Sequence, residues 1–116
     1  MTEGPDDHPI KSVRWVDRVA VVYVQGDIDL NRSVEFQQGL LKLLDGRPQG
    51  IVVNLSEVPY MDSSGVASLA KLMSRARKKR LSLHLTGLTD RVRSVFEITR
   101  LDSVFDIRAT DEEALE

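Results

Sequence analysis

The run Val19-Ala-Val-Val-Tyr-Val24 offers apolar side chains to both faces of an extended chain. A strand of that kind is stable only where it is covered on two sides, as in the middle of a sheet. It therefore asks for partner strands, and for helices to cover them, from the rest of the chain. Ser12 to Val16 is a second extended segment just before it. Asp17-Arg18 between the two is short enough for a hairpin, although it is not a favoured turn pair. Gln25-Gly26-Asp27 ends the run.

Helical and extended patterns alternate from there. Phe36, Leu40, Leu43 and Leu44 recur with helical spacing, with Asn31 or Ser33 as the N-cap and Gly46 and Pro48 as the stop. Ile51 to Leu55 is a short buried strand, followed by a loop from Ser56 to Asp62. Val66, Leu69, Ala70, Met73 and Ala76 mark a second helix, and Leu81, Leu83 and Leu85 a strand with one apolar face. Thr89 opens a third helix that buries Val92, Val95 and Phe96; Val104 to Ile107 is a last strand, and Thr110 caps a terminal turn. This order predicts an α/β domain with a mostly parallel sheet and an antiparallel pair at its start. Residues 1–9 carry Gly4, Pro5, Pro9 and three acids, which predicts a flexible tail and leaves 10–116 as one domain.

Composition narrows the function classes. A chain of 116 residues has room for one domain and a true core. It has no Cys and only two His, at 8 and 84, so it cannot build a Cys-containing zinc site and offers little for any other metal. With 16 Lys plus Arg against 18 Asp plus Glu, the net charge of −2 gives no reason to expect nucleic acid as a general partner. No segment approaches the roughly 18 consecutive apolar residues of a membrane span. The opening MTEGPDDHPI has neither the basic nor the apolar region of a secretory signal, so the expectation is a cytoplasmic protein without a membrane partner.

Sites on such sheets form at the carboxyl ends of strands. Two loops qualify, Gly26-Asp-Ile-Asp29 and Tyr60-Met-Asp-Ser-Ser-Gly65. Met61-Asp62-Ser63-Ser64-Gly65 sits where a loop enters a helix, and two compatible readings stand. One is a plain N-cap, with Gly65 relaxing the turn. The other is a phosphorylation switch, since a hydroxyl at a helix start lies near free N–H groups and the positive dipole end. Asp27 and Asp29 read either as a solvated turn or as an acidic patch beside Asp62. Arg75, Arg77, Lys78, Lys79 and Arg80 suit the C-terminal end of a helix, and no aromatics interleave with them to stack bases. His84 reads as structural and Trp15 as packing. No nucleophile elbow, phosphate-binding loop or dinucleotide fingerprint occurs, and no base is tied to Ser63, so the residues do not describe an enzyme.

In order and spacing, Gly26-Asp-Ile-Asp29, Val52-Val-Asn-Leu55, Met61-Asp-Ser-Ser-Gly65 and Thr99-Arg-Leu-Asp-Ser-Val-Phe-Asp-Ile107 resemble the STAS family, the bacterial anti-sigma factor antagonists. The likeness runs over about residues 11 to 115, and Ala109-Thr-Asp-Glu-Glu-Ala-Leu115 is similar to the family's last helix. The resemblance implies a central sheet of four or five strands with helices mainly on one side. It implies partner switching without a cofactor. The unphosphorylated antagonist binds an anti-sigma factor that is also a serine/threonine kinase with a histidine-kinase-like ATPase fold. Phosphorylation of one serine releases it, and a PP2C-type phosphatase restores it. Matched by motif, Ser63 is the modified serine, with Ser64 as runner-up, and Asp29, Met61, Asp62, Ser64 and Gly65 border the partner-binding site. The sequence departs from the pattern where Val66-Ala67-Ser68 follows Gly65 in place of a common Gly-Leu-Gly, and where Gly26-Asp-Ile-Asp29 replaces Gly-Glu-Leu-Asp. An alternative use of the same family is an accessory subunit of a lipid-transport ABC system, in which Ser63 goes unmodified.

Overall fold

The computed structural model describes residues 8–116. Five strands form one sheet in chain order: β1 (Ile10–Val16), β2 (Val19–Gln25), β3 (Gly50–Glu57), β4 (Ser82–Thr86) and β5 (Asp106–Arg108). β1 and β2 pair antiparallel and the later pairs are parallel. The helices are α1 (Leu30–Lys42), continued by a 3-10 turn over Leu43–Gly46, α2 (Ser63–Lys78), α3 (Asp90–Ile98) and α4 (Asp111–Leu115).

The hairpin is made by the pair that looked weak for it. Asp17 and Arg18 both take positive φ, at 47° and 70°, the left-handed conformation that a tight two-residue hairpin requires. Ala20, Val22 and Val24 of β2, with Ile51, Val53 and Leu55 of β3, face one way. They meet Phe36 and Leu40 of α1, Leu69 and Leu72 of α2, and Val92 and Phe96 of α3. Val21 and Val52 face the other way and are equally buried, so β2 and β3 are covered on both sides as their composition demands. On that second face α4 packs against β3, β4 and β5. It is held by Asp111, whose carboxylate accepts from Asn54 Nδ2 at 3.0 Å and from Thr86 Oγ1 at 2.6 Å.

Several expectations shift. The N-cap of α1 is Asp29, not Asn31 or Ser33. Ser33 is buried at the α1–α2 seam, where Ser68 Oγ donates to its carbonyl at 3.3 Å, and two small residues let the helices approach closely. Leu43 and Leu44 lie in the 3-10 turn after the helix. In α2 it is Leu72 that is fully buried, while Met73 is half-buried. The last strand begins at Asp106, because Val104 and Phe105 are still held in a turn by hydrogen bonds to the Leu101 carbonyl. Phe105 instead packs edge-on to Phe96, with centroids 5.5 Å apart. Trp15 is half exposed; its ring lies against Gly46, where an added Cβ would stand 3.1 Å away. The tail expected over 1–9 falls outside the described residues up to position 7. His8 and Pro9 belong to the fold: Pro9 is buried, and its carbonyl accepts from Gln25 N at 2.9 Å.

α2 and α3 end in the same way. Leu81 N donates to Ala76 O at 2.9 Å and Arg80 N to Arg77 O at 3.1 Å. Leu101 N donates to Phe96 O at 2.8 Å and Arg100 N to Glu97 O at 3.1 Å. Both are Schellman closures, in which the left-handed position is most often glycine. Here arginine fills it, at φ 59° for Arg80 and 62° for Arg100. Arg80→Gly and Arg100→Gly should therefore each raise unfolding stability by about 0.5–1 kcal/mol. Denaturant unfolding of each single variant measures this, and a loss of stability would mean that the arginine side chains contribute more than the backbone costs.

Candidate functional site

The two loops singled out in the sequence meet at the carboxyl end of the sheet. Past β2 and β3 the chains stay side by side: Ile28 N donates to Tyr60 O at 2.9 Å, and Asp62 N to Ile28 O at 3.1 Å. The next residue after Ile28 opens α1 and the next after Met61 opens α2, so the two helix starts stand together. Asp29 caps α1, accepting from Asn31 N at 3.0 Å and Arg32 N at 3.2 Å. Asp62 caps α2, accepting from Ser64 N at 2.9 Å. Both acids are thus cap residues, and they also form the neighbouring pair that the acidic-patch reading required.

The two serines differ. Ser64 is half-buried, and its hydroxyl donates to Asp62 Oδ1. Ser63, the first residue of α2, is exposed, and its hydroxyl makes no hydrogen bond among the described residues. One oxygen is thus committed to the fold and the other is free for chemistry, a distinction that spacing alone could not draw. Ala67, one turn further along α2, is exposed on the same side of the helix.

Met61 and Gly65 lie beneath this surface, not on it. Met61 is 0% exposed, so its side chain offers a partner nothing to touch. Gly65 is buried within the first turn of α2, at a φ that does not call for glycine. A Cβ there would come within 2.6 Å of Met61 Cγ and 2.9 Å of Ile28 Cγ2. Its role is thus close packing of the helix start over the loop floor, not relaxation of a turn.

The Ser64 hydroxyl, helped by the backbone N–H groups of Ser64, Gly65 and Leu30, holds the Asp62 carboxyl below its ordinary range, against the opposing effect of partial burial. A depressed folded-state pKa adds stability that is full above the unfolded value, about 4, and is lost as pH falls through the folded value. Asn keeps the capping oxygen without the titration. Asp62→Asn should therefore be less stable than the parent at pH 7 by up to about 1 kcal/mol, with the gap closing below about pH 4. Thermal unfolding of both proteins from pH 7 to pH 3 reads this directly. Parallel profiles would mean that the charge on Asp62 adds nothing.

His84 faces away from α2. It pairs in register with Val52, and its Nδ1 lies 3.2 Å from Asp106 Oδ2 on the second face. It therefore offers Ser63 no base. Among the described residues no three metal-ligating side chains gather, and no helix is long and apolar enough to cross a membrane. At the opposite end of the sheet, Arg75, Arg77 and Lys78 occupy the last turn of α2, as expected from the helix dipole. The fold adds to them: Gln49 N bonds to Arg18 O at 2.8 Å and Ser82 N to Gln49 O at 3.3 Å, so Arg18, Arg47, Lys79 and Arg80 share that pole.

Two features escaped the sequence reading. The Asn54–Thr86–Asp111 cluster joins residues far apart in the chain, and no local pattern announces it. The other is an exposed apolar pair, Leu30 and Val34, on the first turn of α1. Its signal was present: the two are four residues apart, and neither falls on the stripe of Phe36 and Leu40.

Together these features define a small α/β domain with paired helix starts at the carboxyl end of the sheet and an exposed serine hydroxyl left free beside them. The chain belongs to the STAS domain family, whose family model matches residues 11–114. A relative from Listeria monocytogenes, an anti-sigma-B factor antagonist, is 32% identical over 94 residues, which span 79% of this chain and 81% of the relative. The crystal structure of an anti-sigma factor antagonist from Mycobacterium paratuberculosis superposes with a TM-score of 0.82 at 27% identity, over 90% of this chain and 88% of that one. The Bacillus cell fate determinant SpoIIAA in its phosphorylated form shares the fold, with a TM-score of 0.69 at 24% identity, over 90% and 95% of the two chains.

Proposed function

We propose that this protein is an anti-sigma factor antagonist working by partner switching in the cytoplasm, a binding module and not an enzyme. Unphosphorylated, it sequesters an anti-sigma factor that is also a serine kinase of histidine-kinase-like ATPase fold. Transfer of a phosphoryl group to Ser63 releases it, and a PP2C-type phosphatase resets it. The observation that carries this reading is the free, exposed Ser63 hydroxyl on the first residue of α2, beside a Ser64 hydroxyl already spent on Asp62. The antagonist names of the Listeria and Mycobacterium relatives support it, as does a fold relative solved in a phosphorylated form.

The kinase would take the Ser63 hydroxyl to the γ-phosphate of ATP while gripping the surface formed by Asp29, Asp62 and the first turns of both helices. Met61 and Gly65 serve that surface from below, by fixing where α2 starts. The added phosphate brings about −1.5 to −2 charges to a helix start that tolerates anions. The switch therefore acts on the interface and needs no rearrangement of the domain.

The test has two parts. The wild-type protein and Ser63→Asp are used as baits in lysate of the native host, and the captured proteins are identified by mass spectrometry. The captured kinase is then incubated with the wild type and ATP, and the modified residue is mapped. A kinase-like ATPase held by the wild type, lost with Ser63→Asp and labelling Ser63, is the expected result. Labelling of Ser64 alone would move the site, and transporter subunits held equally by both baits would favour the ABC accessory role.

A further inference from the structure

We infer that Leu30 and Val34 are the apolar anchor of the surface around Ser63, and that they receive an apolar side chain of the partner protein flanked by lysine or arginine. The inference rests on the function proposed above and names the chemistry of its partner.

Leu30 is 73% exposed and Val34 63%, although both are large apolar residues within a helix. They stand at i and i+4, so they form one continuous strip along the first turn of α1. Scattered single apolar residues on a surface need no explanation, whereas a contiguous pair beside a functional site does. The strip adjoins Ser63. The Leu30 backbone N–H lies against the Asp62 carboxylate, and Asp62 is the residue before Ser63. Across the seam, Ser68 Oγ spans to the Ser33 carbonyl at 3.3 Å, which holds the first turns of α1 and α2 together. The exposed methyl of Ala67 belongs to the same side of α2 as Ser63.

The charge around the strip specifies the partner. Exposed Asp27 and Glu35 and half-exposed Asp29 and Asp62 are the strip's neighbours along the chain or across the paired helix starts. Arg32, whose guanidinium lies beside Gly26, is among them, so acids outnumber cations near the strip. An apolar centre with a rim of carboxylates is the complement of an apolar side chain ringed by cations. In such interfaces a few central, fully desolvated residues carry most of the affinity, while the charged rim selects the partner. A second copy of this chain would set the same carboxylates against one another, so a twofold contact through this strip is disfavoured. The arrangement also explains how a charge placed on Ser63 disrupts binding. It would lie at the edge of that contact beside Asp62, where the partner's cations are already matched by carboxylates and an added anion is left desolvated and unpaired.

The experiment measures the dissociation constant of the purified kinase for four forms: wild type, Leu30→Gln, Val34→Gln and Ile98→Gln. Ile98 is the control, being 82% exposed at the far end of α3. Leu30→Gln and Val34→Gln should each weaken binding by at least about tenfold, as for central anchors. Ile98→Gln should not change it, and the thermal midpoints should remain together because none of the three side chains is buried. If the wild type binds the kinase and both α1 variants bind equally well, the anchor is wrong while the proposed function stands. If the wild type does not bind the kinase, the proposed function fails and the anchor fails with it. Sedimentation of the protein alone completes the test: a wild-type dimer that Leu30→Gln dissociates would assign the strip to a second copy and overturn the inference.

Discussion

Ser63→Asp should lower affinity for the proposed anti-sigma kinase by about a hundredfold or more, close to 2.8 kcal/mol, while leaving the thermal midpoint of the isolated domain unchanged or slightly raised. The two halves of this result have separate causes. Within the domain, a carboxylate on the first residue of α2 faces unpaired N–H groups and the positive end of the helix dipole, which favours it. In the complex, the same charge joins a surface where Asp29 and Asp62 already match the partner's cations, so the added anion is stripped of water with no cation left to pair with it. Ser64→Asp is the instructive contrast. The Ser64 hydroxyl donates to Asp62 Oδ1, so a carboxylate there sets two anions against each other and removes a donor. It should lower the thermal midpoint as well as affinity. Calorimetric titration and thermal unfolding of both variants separate a change of surface from a change of fold. An unchanged dissociation constant for Ser63→Asp would sink the switch.

Asp111→Ala should cost the domain about 2–4 kcal/mol of unfolding stability, because charge-assisted bonds are lost and two partners are left unpaired. The Asn54 amide cannot turn to find another use. Its Oδ1 already accepts from Ser56 N at 2.9 Å and Ser56 Oγ at 2.6 Å, which fixes Nδ2 toward Asp111. Thr86 is 0% exposed, so its hydroxyl has no water to replace the carboxylate. Asp111→Asn is nearly isosteric and should still be destabilising, since its amide N–H₂ would face that of Asn54, donor to donor. Both variants should loosen α4 before the rest of the domain, seen as faster hydrogen exchange at residues 111–115. Binding at Ser63 should be little changed, because α4 and α2 cover opposite faces of the sheet. A loss of less than about 0.5 kcal/mol for Asp111→Ala, within the usual range of surface substitutions, would mean that α4 is not held by this cluster.

What could be read from the sequence divides along physical lines. The interior position of β2 follows from its two-faced apolar run, the antiparallel start and parallel remainder from the order of elements, and the caps Thr89 and Thr110 from their place before a helical period. Asp29 as the cap of α1 is not legible in the sequence, because Asn31 and Ser33 are equally good capping types and only the pairing of Ile28 with Met61 decides where α1 begins. The β5 boundary slipped because Val104 and Phe105 have the composition of a strand but are held in a turn by the Leu101 carbonyl. At the candidate site, the types and order of Asp62, Ser63 and Ser64 point to a helix start, and that is where the structure places them. The separation of a committed hydroxyl from a free one depends on side-chain rotamers, and the sinking of Met61 and Gly65 beneath the surface depends on how α2 seats over Ile28. Neither is encoded in spacing.

The gathering of Arg18, Arg47, Lys79 and Arg80 at one pole, with Asp27, Asp29 and Asp62 at the other, makes this nearly neutral chain a dipole. A net charge of −2 understates the field that an approaching molecule meets. A partner with the cationic face inferred above would feel a torque before contact, turning the Ser63 pole toward itself and the arginine pole away, so a larger share of collisions would arrive correctly oriented. Added salt would then slow the capture of a partner far more than it hastens its escape. How quickly such a complex forms would in this way be partly decided at the end of the molecule opposite Ser63.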